Sequence, residues 1–497
     1  MTRATNLAVL ATLALGVPAR AQCPDGSPPP CNRAIPRAPT ANSVAVLYFE
    51  ARDTVDAYLA DGLTEDVATL LGGVVSVQVK PPGVVRRAQR ATPQNFPAIA
   101  RALSVRYLVD GSVRRSGSQL HVTVRLVVAG TTVSKWGEIF DRTLDELPTL
   151  PSLIARDVAG QIAGTSASAT AGPPASRTLS SAAYDHFLRG NFFLALRTPE
   201  GITRALGEYR EAERLDSGYA AAIGRAAYAF AVARSNYYSV PDVPNESVAV
   251  RGIEVADRAL RRDSTSSDAW MARGFLLAYA DPHTMAGATA AFARAITLDP
   301  RNAEAHHQYA QILNWLGRKD EADRELRLAI ALEPGRVVSY DDLAIWTHRR
   351  DTAIALALTD TAVTLDPTSP RAHWARGFAR VFAGDLRGAL EDGEIANRLQ
   401  PGSPIVEGFL AYAAVRAGDT TRARALLAHW PGRTDFSIVI GLIALGDTAA
   451  ALDRLERAAP DPGGWGLLQR PEFDPLHGNP RFQRLLAAFR PQGAVGP

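Results

Sequence analysis

Along most of the second half of the chain, apolar and small residues recur at the i, i+3, i+4 and i+7 spacing of one face of an α-helix. In "AEAHHQYAQILNWLGRKDEADRELRLAIALEP", Tyr309, Ala310 and Leu313 make one such face. Gly317 and charged residues interrupt it, and Ala322, Leu326, Ala329 and Ile330 make the next. Pro334 ends the second helix, because proline lacks the N–H that would extend the ladder. The same ending returns in "RAITLDPRN", "TAVTLDPTS" and "IANRLQPGS", with Pro300, Pro334, Pro367 and Pro401 separated by 34, 33 and 34 residues. A helical pair cannot bury a core alone, so this period predicts units stacked into a superhelical solenoid with a concave face.

On either side the pattern loosens without disappearing. "AYDHFLRGNFFLALRTPEGITRALGEYREAERLDS" keeps Gly190, Ala205, Tyr209, Ala212 and Leu215, with an enlarged turn expected at Thr198-Pro199-Glu200. "SNYYSVPDVPNES" carries two prolines and no helical period, so it reads as an insertion. "FSIVIGLIALGDTAAALDRLERA" is a shortened pair, and "PEFDPLHGNPRFQRLL" caps the series with a last helix from Pro480. About eight pairs result. Upstream, residues 42–165 change period. "SVAVLYFE" and "VVSVQVKP" read as strands on either side of a helix with Leu59, Leu63, Val67 and Leu70 on one face. A helix "NFPAIARALS", three strands turning near Ser116-Gly117 and Gly130, and a helix "LPSLIARDVAGQIA" complete a compact α/β domain.

The repeat resembles the tetratricopeptide repeat, which sets small residues where two helices cross and a proline at the end. Gly274, Ala310, Ala344, Gly377 and Ala411 hold the small site of the first helix, and Ala322, Ala355, Ala389 and Ala423 that of the second. The words "AVLYFE", "LADGLTEDV", "ARALSVRYLVDGSVRRSG" and "EIFDRTLDEL" resemble the TolB amino-terminal-like domain, which often stands ahead of such repeats in bacterial proteins. In related chains this pair follows a cytoplasmic kinase, cyclase or DNA-binding domain; here the first residues take a different form. The expected fold class is an α/β (α+β) N-terminal domain followed by an all-α tetratricopeptide-repeat solenoid. The expected organisation is residues 1–21 a signal peptide, 22–41 a Pro-rich segment, 42–165 the TolB-like domain, 166–180 a flexible linker, 181–460 the solenoid and 461–497 a cap and tail.

The signal-peptide reading rests on Arg3, the apolar run "NLAVLATLALGV" and a small-x-small site at Ala19-Arg20-Ala21. It implies a periplasmic or secreted bacterial protein, and no later stretch is long enough to span a bilayer. Cys23 and Cys31 in "CPDGSPPPC" would then lie in an oxidising compartment and form a disulfide. A net charge of +3 with only three lysines shows no concentrated basic face; "VVRRAQR" and "GSVRRSG" come nearest, so no nucleic-acid partner is expected.

No nucleotide-binding, zinc-protease or nucleophile-elbow motif occurs, so no catalytic residue, metal or cofactor is expected and the protein reads as non-enzymatic. His306 and His307 are adjacent rather than four apart and read as surface imidazoles, and Asp61 to Asp66 reads as helix rather than a cation loop. Two functions remain: an exported scaffold gripping a protein or peptide in its concave groove, or an accessory in which the α/β domain binds a small molecule or envelope component. The tetratricopeptide resemblance implies a groove lined by His307, Gln311, Asn314, Asp341, Ile345, Arg349, Arg371, Trp374, Phe378, Phe382 and Tyr412. Aromatics with flanking arginines there point to an apolar or aromatic peptide anchor rather than a C-terminal carboxylate.

Overall fold

The computed structural model describes residues 39–131, 133–163, 178, 180–236, 238–348, 350–458, 462–491 and 493–494. The expected signal segment, Cys23, Cys31 and nearly all of the expected linker lie outside them. The described residues fall in one compact unit.

Strand β1 (Ser43–Val46) is buried on both faces, which its unbroken apolar run requires. It lies parallel to β3 (Gln78–Val79) on one side and to β4 (Tyr107–Ser116) on the other. From β4 the sheet continues as an antiparallel meander through β5 (Gln119–Val128) to the edge strand β6 (Ser134–Thr143), while the short β2 (Glu50–Ala51) also pairs with β4. Alternation sorts the side chains. Val44, Val46, Val122 and Val124 meet helices α1 (Ala57–Gly72) and α4 (Leu150–Ala163), with Leu59, Leu63 and Val67 filling the interface. Ala45, Leu47 and Leu108 face α2 (Pro82–Ala91) and α3 (Phe96–Leu103). Helix α2 is absent from the sequence reading: its apolar face is only Val84, Val85 and Ala88 in a ten-residue segment with three arginines, too short a stripe to stand out after the preceding strand.

Among the described residues the helical part is an all-α solenoid of eight helical pairs, as the tetratricopeptide-like period predicts. They are α5 (Ser181–Ala195) with α6 (Pro199–Leu215), α7 (Ala220–Ser235) with α8 (Val248–Arg262), α9 (Ser267–Ala280) with α10 (Met285–Leu298), and α11 (Ala303–Trp315) with α12 (Lys319–Leu332). There follow α13 (Val337–Thr347) with α14 (Thr352–Leu365), α15 (Pro370–Ala383) with α16 (Leu386–Leu399), α17 (Pro404–Arg416) with α18 (Thr420–Ala428), and α19 (Phe436–Ala444) with α20 (Thr448–Arg457). The turn at Thr198 is tight, not enlarged: the Thr198 hydroxyl caps α6 by accepting from Gly201 N–H, and Pro199 opens the helix.

Small residues let the helices approach. A Cβ on Gly377 would stand 2.5 Å from Phe409 Cζ, so only glycine admits that ring. Ala310, Ala322, Ala355 and Ala389 have no exposed surface. The repeated proline word has a second use. Its carbonyl accepts from a side chain six residues on, in the first turn of the next helix: Pro300 from His306 (3.1 Å), Pro334 from Tyr340 (2.9 Å) and Pro367 from His373 (3.0 Å). Trp270 Nε1 donates to Ser264 O in the same way at 3.0 Å, so this bond pins four successive inter-unit turns. His306 is therefore buried, not a surface imidazole.

The two parts pack directly. Leu188 of α5 sits on Gly62 of α1, whose missing Cβ leaves room for it. Tyr58 donates to Asp185 at 2.5 Å, Tyr184 donates to Asp66, and Arg189 pairs with Asp185 at 2.7 Å. Further along, Arg301 donates to the Gly72 carbonyl and Arg87 of α2 to the carbonyls of Gly335 and Leu365. Cations thus meet carbonyls at or near helix C-terminal ends, where the helix dipole is negative. After α20, α21 (Pro462–Leu468), a 3-10 turn (Pro471–Leu476) and α22 (Pro480–Phe489) close the other end. Trp465, Leu468, Phe473, Phe482 and Phe489 are buried there with Ile438 and Val439.

Because Ala389 is fully buried at a helix crossing, Ala389→Leu should cost roughly 1 to 3 kcal/mol through overpacking. A urea titration checks this; an unchanged midpoint would contradict the crossing.

Candidate functional site

Eight stacked pairs leave a concave cleft of about 1360 Å³. It begins at the ends of α7 and α9, near Arg234 and Tyr279, and runs along α11, α13 and α15 to α19 and the C-terminal cap. Of the residues expected in the groove, His307, Gln311, Asn314, Ile345, Arg371 and Trp374 line it. Arg349 lies outside the described residues.

Asp341, Phe378, Phe382 and Tyr412 do not line the cleft, which corrects the expectation for them. Phe378 is 1% exposed, with ring centroids 4.6 Å from Phe409 and 5.8 Å from Tyr412. The Arg470 guanidinium lies over its ring at 5.0 Å, so the cap covers what the repeat register alone would leave open. Tyr412 is covered likewise, and its hydroxyl accepts from Arg416 at 3.2 Å. Phe382 packs against His348, with ring centroids 4.3 Å apart. Asp341 is fully buried between α13 and the start of α15.

A ladder of polar groups runs from behind the cleft to its lining, which it reaches at His307, Gln308, Gln311, Asp342 and Arg371. Glu304 accepts from Tyr228 and Gln308, each at 2.8 Å, and pairs with Arg336. His307 hydrogen-bonds Ser339 Oγ through Nδ1 at 2.9 Å, and its Nε2 is 3.4 Å from Asp342. Asp342 in turn accepts from Gln311 and Arg371. Burial pushes the His307 pKa down to about 4, so the imidazole is neutral near neutral pH, buried rather than on the surface. Trp374 reaches the wall with its ring 5.0 Å from Phe378, and its Nε1 has no hydrogen-bond partner among the described residues.

Glu304, Arg336 and Asp342 escaped the sequence reading. Glu304, His307 and Gln311 do share one helix face at i, i+3 and i+7, a signal that could have marked the ladder's first members. Among the described residues, no cluster of three or more His, Cys, Asp or Glu is placed to hold a metal ion, and no helix is long and apolar enough to cross a membrane.

No family model matches the chain. It is 31% identical over 128 residues to a putative adenylate cyclase 3 of Rhizobium meliloti, a stretch covering 25% of this chain and 21% of that protein. It is likewise 31% identical over 115 residues to protein FlbA of Caulobacter vibrioides, covering 23% and 19%. The chain thus spans about a fifth of the length of the curated relatives it matches. Among solved structures, Pseudomonas aeruginosa PilF aligns at 16% identity and TM-score 0.34 over 46% of this chain and 98% of that one. PilW, a type IV pilus biogenesis factor, aligns at 16% and 0.35 over 42% and 91%. YrrB, described as a TPR protein with an unusual peptide-binding site, aligns at 18% and 0.28 over 40% and 95%. At such scores the fold assignment rests on the helix pairing itself.

Asp341, buried behind the cleft, offers a test of the contact between α13 and the start of α15. Burial raises its pKa from 3.8 to about 7 against the pull of Arg371 Nε at 3.6 Å, with Asp342 and Asp366 adding to the rise. Between about pH 4 and 7 the folded chain holds a proton there that the unfolded chain has lost, so this group's contribution to stability falls as pH rises, by up to about 4 kcal/mol. His307 slopes the opposite way between about pH 4 and 6.5, so the wild-type curve conceals both. Comparison with Asp341→Asn isolates the carboxyl: the variant should melt higher than wild type at about pH 8 and equally near pH 4. A lower melting temperature at about pH 8 would show that pairing with Arg371 outweighs burial.

Proposed function

We propose that this protein is an exported, non-enzymatic scaffold that holds a peptide segment of a partner protein in its concave cleft. The cleft carries the reading. Its volume exceeds the roughly 300–1,000 Å³ of small-molecule pockets, and it mixes aromatic surface with a few fixed polar groups, as a peptide requires. Trp374 is the anchor in this reading, because its half-buried ring puts a large apolar surface on the cleft wall. Export is supported by the form of the first 21 residues. The α/β domain, with its TolB-like words, acts as the solenoid's N-terminal cap and holds the cleft's shape through its contacts with three repeat turns.

Two substitutions separate binding from packing. Ligands selected from a random peptide library on the full chain should lose at least about tenfold in affinity with Trp374→Ala, with little change in melting temperature. Phe378→Ala should instead destabilise the fold by about 3 to 5 kcal/mol, because that ring is core. Undiminished affinity in the Trp374 variant would place the binding surface outside the cleft.

A further inference from the structure

Strand β6 is the last in the sheet, and among the described residues no strand pairs with its outer side. It runs ten residues, most of them exposed. An edge of that length offers a row of backbone donors and acceptors to any chain that can lie beside it, and proteins commonly guard such edges with proline, lysine or a bulge. Strand β6 has no proline, and its bulge, opposite Leu126 and Val127, leaves the stretch from Gly137 to Thr143 regular. Its one lysine, Lys135, turns away to the Gln161 carbonyl of α4. Asp141 and Arg142 are engaged within the chain, by His121 and by Glu146 at 3.6 Å.

The direction of the backbone groups fixes what the edge can accept. Leu144 N–H donates to Ser118 O at 2.9 Å, and Thr143 lies opposite Gln119. In an antiparallel ladder such bonds fall on alternate residues, so Phe140 and Arg142 bond to β5 while Gly137, Ile139 and Asp141 turn their N–H and C=O groups outward. A second β6 lying antiparallel must meet these three residues with its own three. Centring the pair on Glu138 or on Asp141 sets a carboxylate against itself, which is destabilising. Centring it on Phe140 sets Ile139 against Asp141, and centring it on Gly137 runs into the bulge. Centred on Ile139, the strands oppose no like charges. Ile139, 65% exposed in the single chain, then meets Ile139, Asp141 meets Gly137, Glu138 meets Phe140 and the Arg142 guanidinium meets the indole of Trp136.

We propose that two copies of this chain join through antiparallel β6 edges, with Ile139 on the two-fold axis, so that one sheet continues across both α/β domains. The occupant is a second copy because the edge complements itself, as a two-fold interface requires. None of these residues lines the cleft, so dimerisation stands apart from peptide binding.

Sedimentation velocity on the full-length chain between about 1 and 100 μM reads the assembly, and a dimer growing in over that range is expected. Ile139→Lys sets two cations face to face, and Ile139→Pro removes an outward N–H that β5 does not use. Each should raise the dimer dissociation constant at least about tenfold, the lysine variant with little change in the melting temperature of dilute protein. Ile354→Lys, at an exposed apolar position on α14, should leave the constant where it was. Amide exchange reads the register without any variant: Gly137, Ile139 and Asp141 should exchange fast in dilute protein and slowly in concentrated protein, while Phe140 and Arg142 stay protected in both. A monomer at every concentration, or a dimer that both Ile139 variants leave intact, would overturn the inference. Outward amides already protected in a dilute monomer would overturn it too, by showing that the edge is covered within the chain.

Discussion

A solenoid has a problem that a globular domain lacks: each end presents an apolar face with no further repeat to cover it. Both ends are covered here, and the rest of the structure follows from how. At the first end α1 lies on α5, with Gly62 admitting Leu188 and a cluster of Tyr58, Asp185, Arg189 and Tyr184 sealing the rim. The α/β domain and the first repeats therefore share one hydrophobic cluster instead of standing as two bodies joined by a tether. At the other end the chain needs aromatic bulk to cover α19, and it supplies Trp465, Phe473, Phe482 and Phe489. Bringing those rings into place sends α21 across the concave side.

The same economy governs the turns. In three successive units the proline that stops the second helix offers its carbonyl to a side chain of the next helix. Angles between successive pairs are then fixed by a hydrogen bond as well as by packing. Arg87 and Arg301 use the same row of turns to tie the α/β domain to the solenoid, so the curvature of the cleft is held from outside by a domain that does not line it.

What could be read in advance was local. The helix pairs were legible because small residues and prolines repeat within one unit's length, and the strands because apolar positions alternate or run unbroken. Helix α2 was not, since its stability comes from contacts with the sheet and from Arg86 pairing with Asp61, neither visible in its own pattern. In the cleft, Trp374 and Gln311 were legible from the repeat register, whereas the burial of Phe378 and Tyr412 was not. Their cover comes from Arg470 and its neighbours, far along the chain and outside any repeat. His306 and His307 were misplaced for a related reason: a histidine on a helix reads as polar surface until its partners, Glu325 and Ser339, arrive from other helices.

The central claim is that the α/β domain and the solenoid are one body, with the first repeat depending on α1. Native-state hydrogen exchange on the full chain addresses it directly. Amides of α1 and α5 should share the same slow exchange and open together as denaturant is raised. Fast exchange throughout α5 beside a protected α1 would show that the domain and the repeats are separate bodies and would contradict the account.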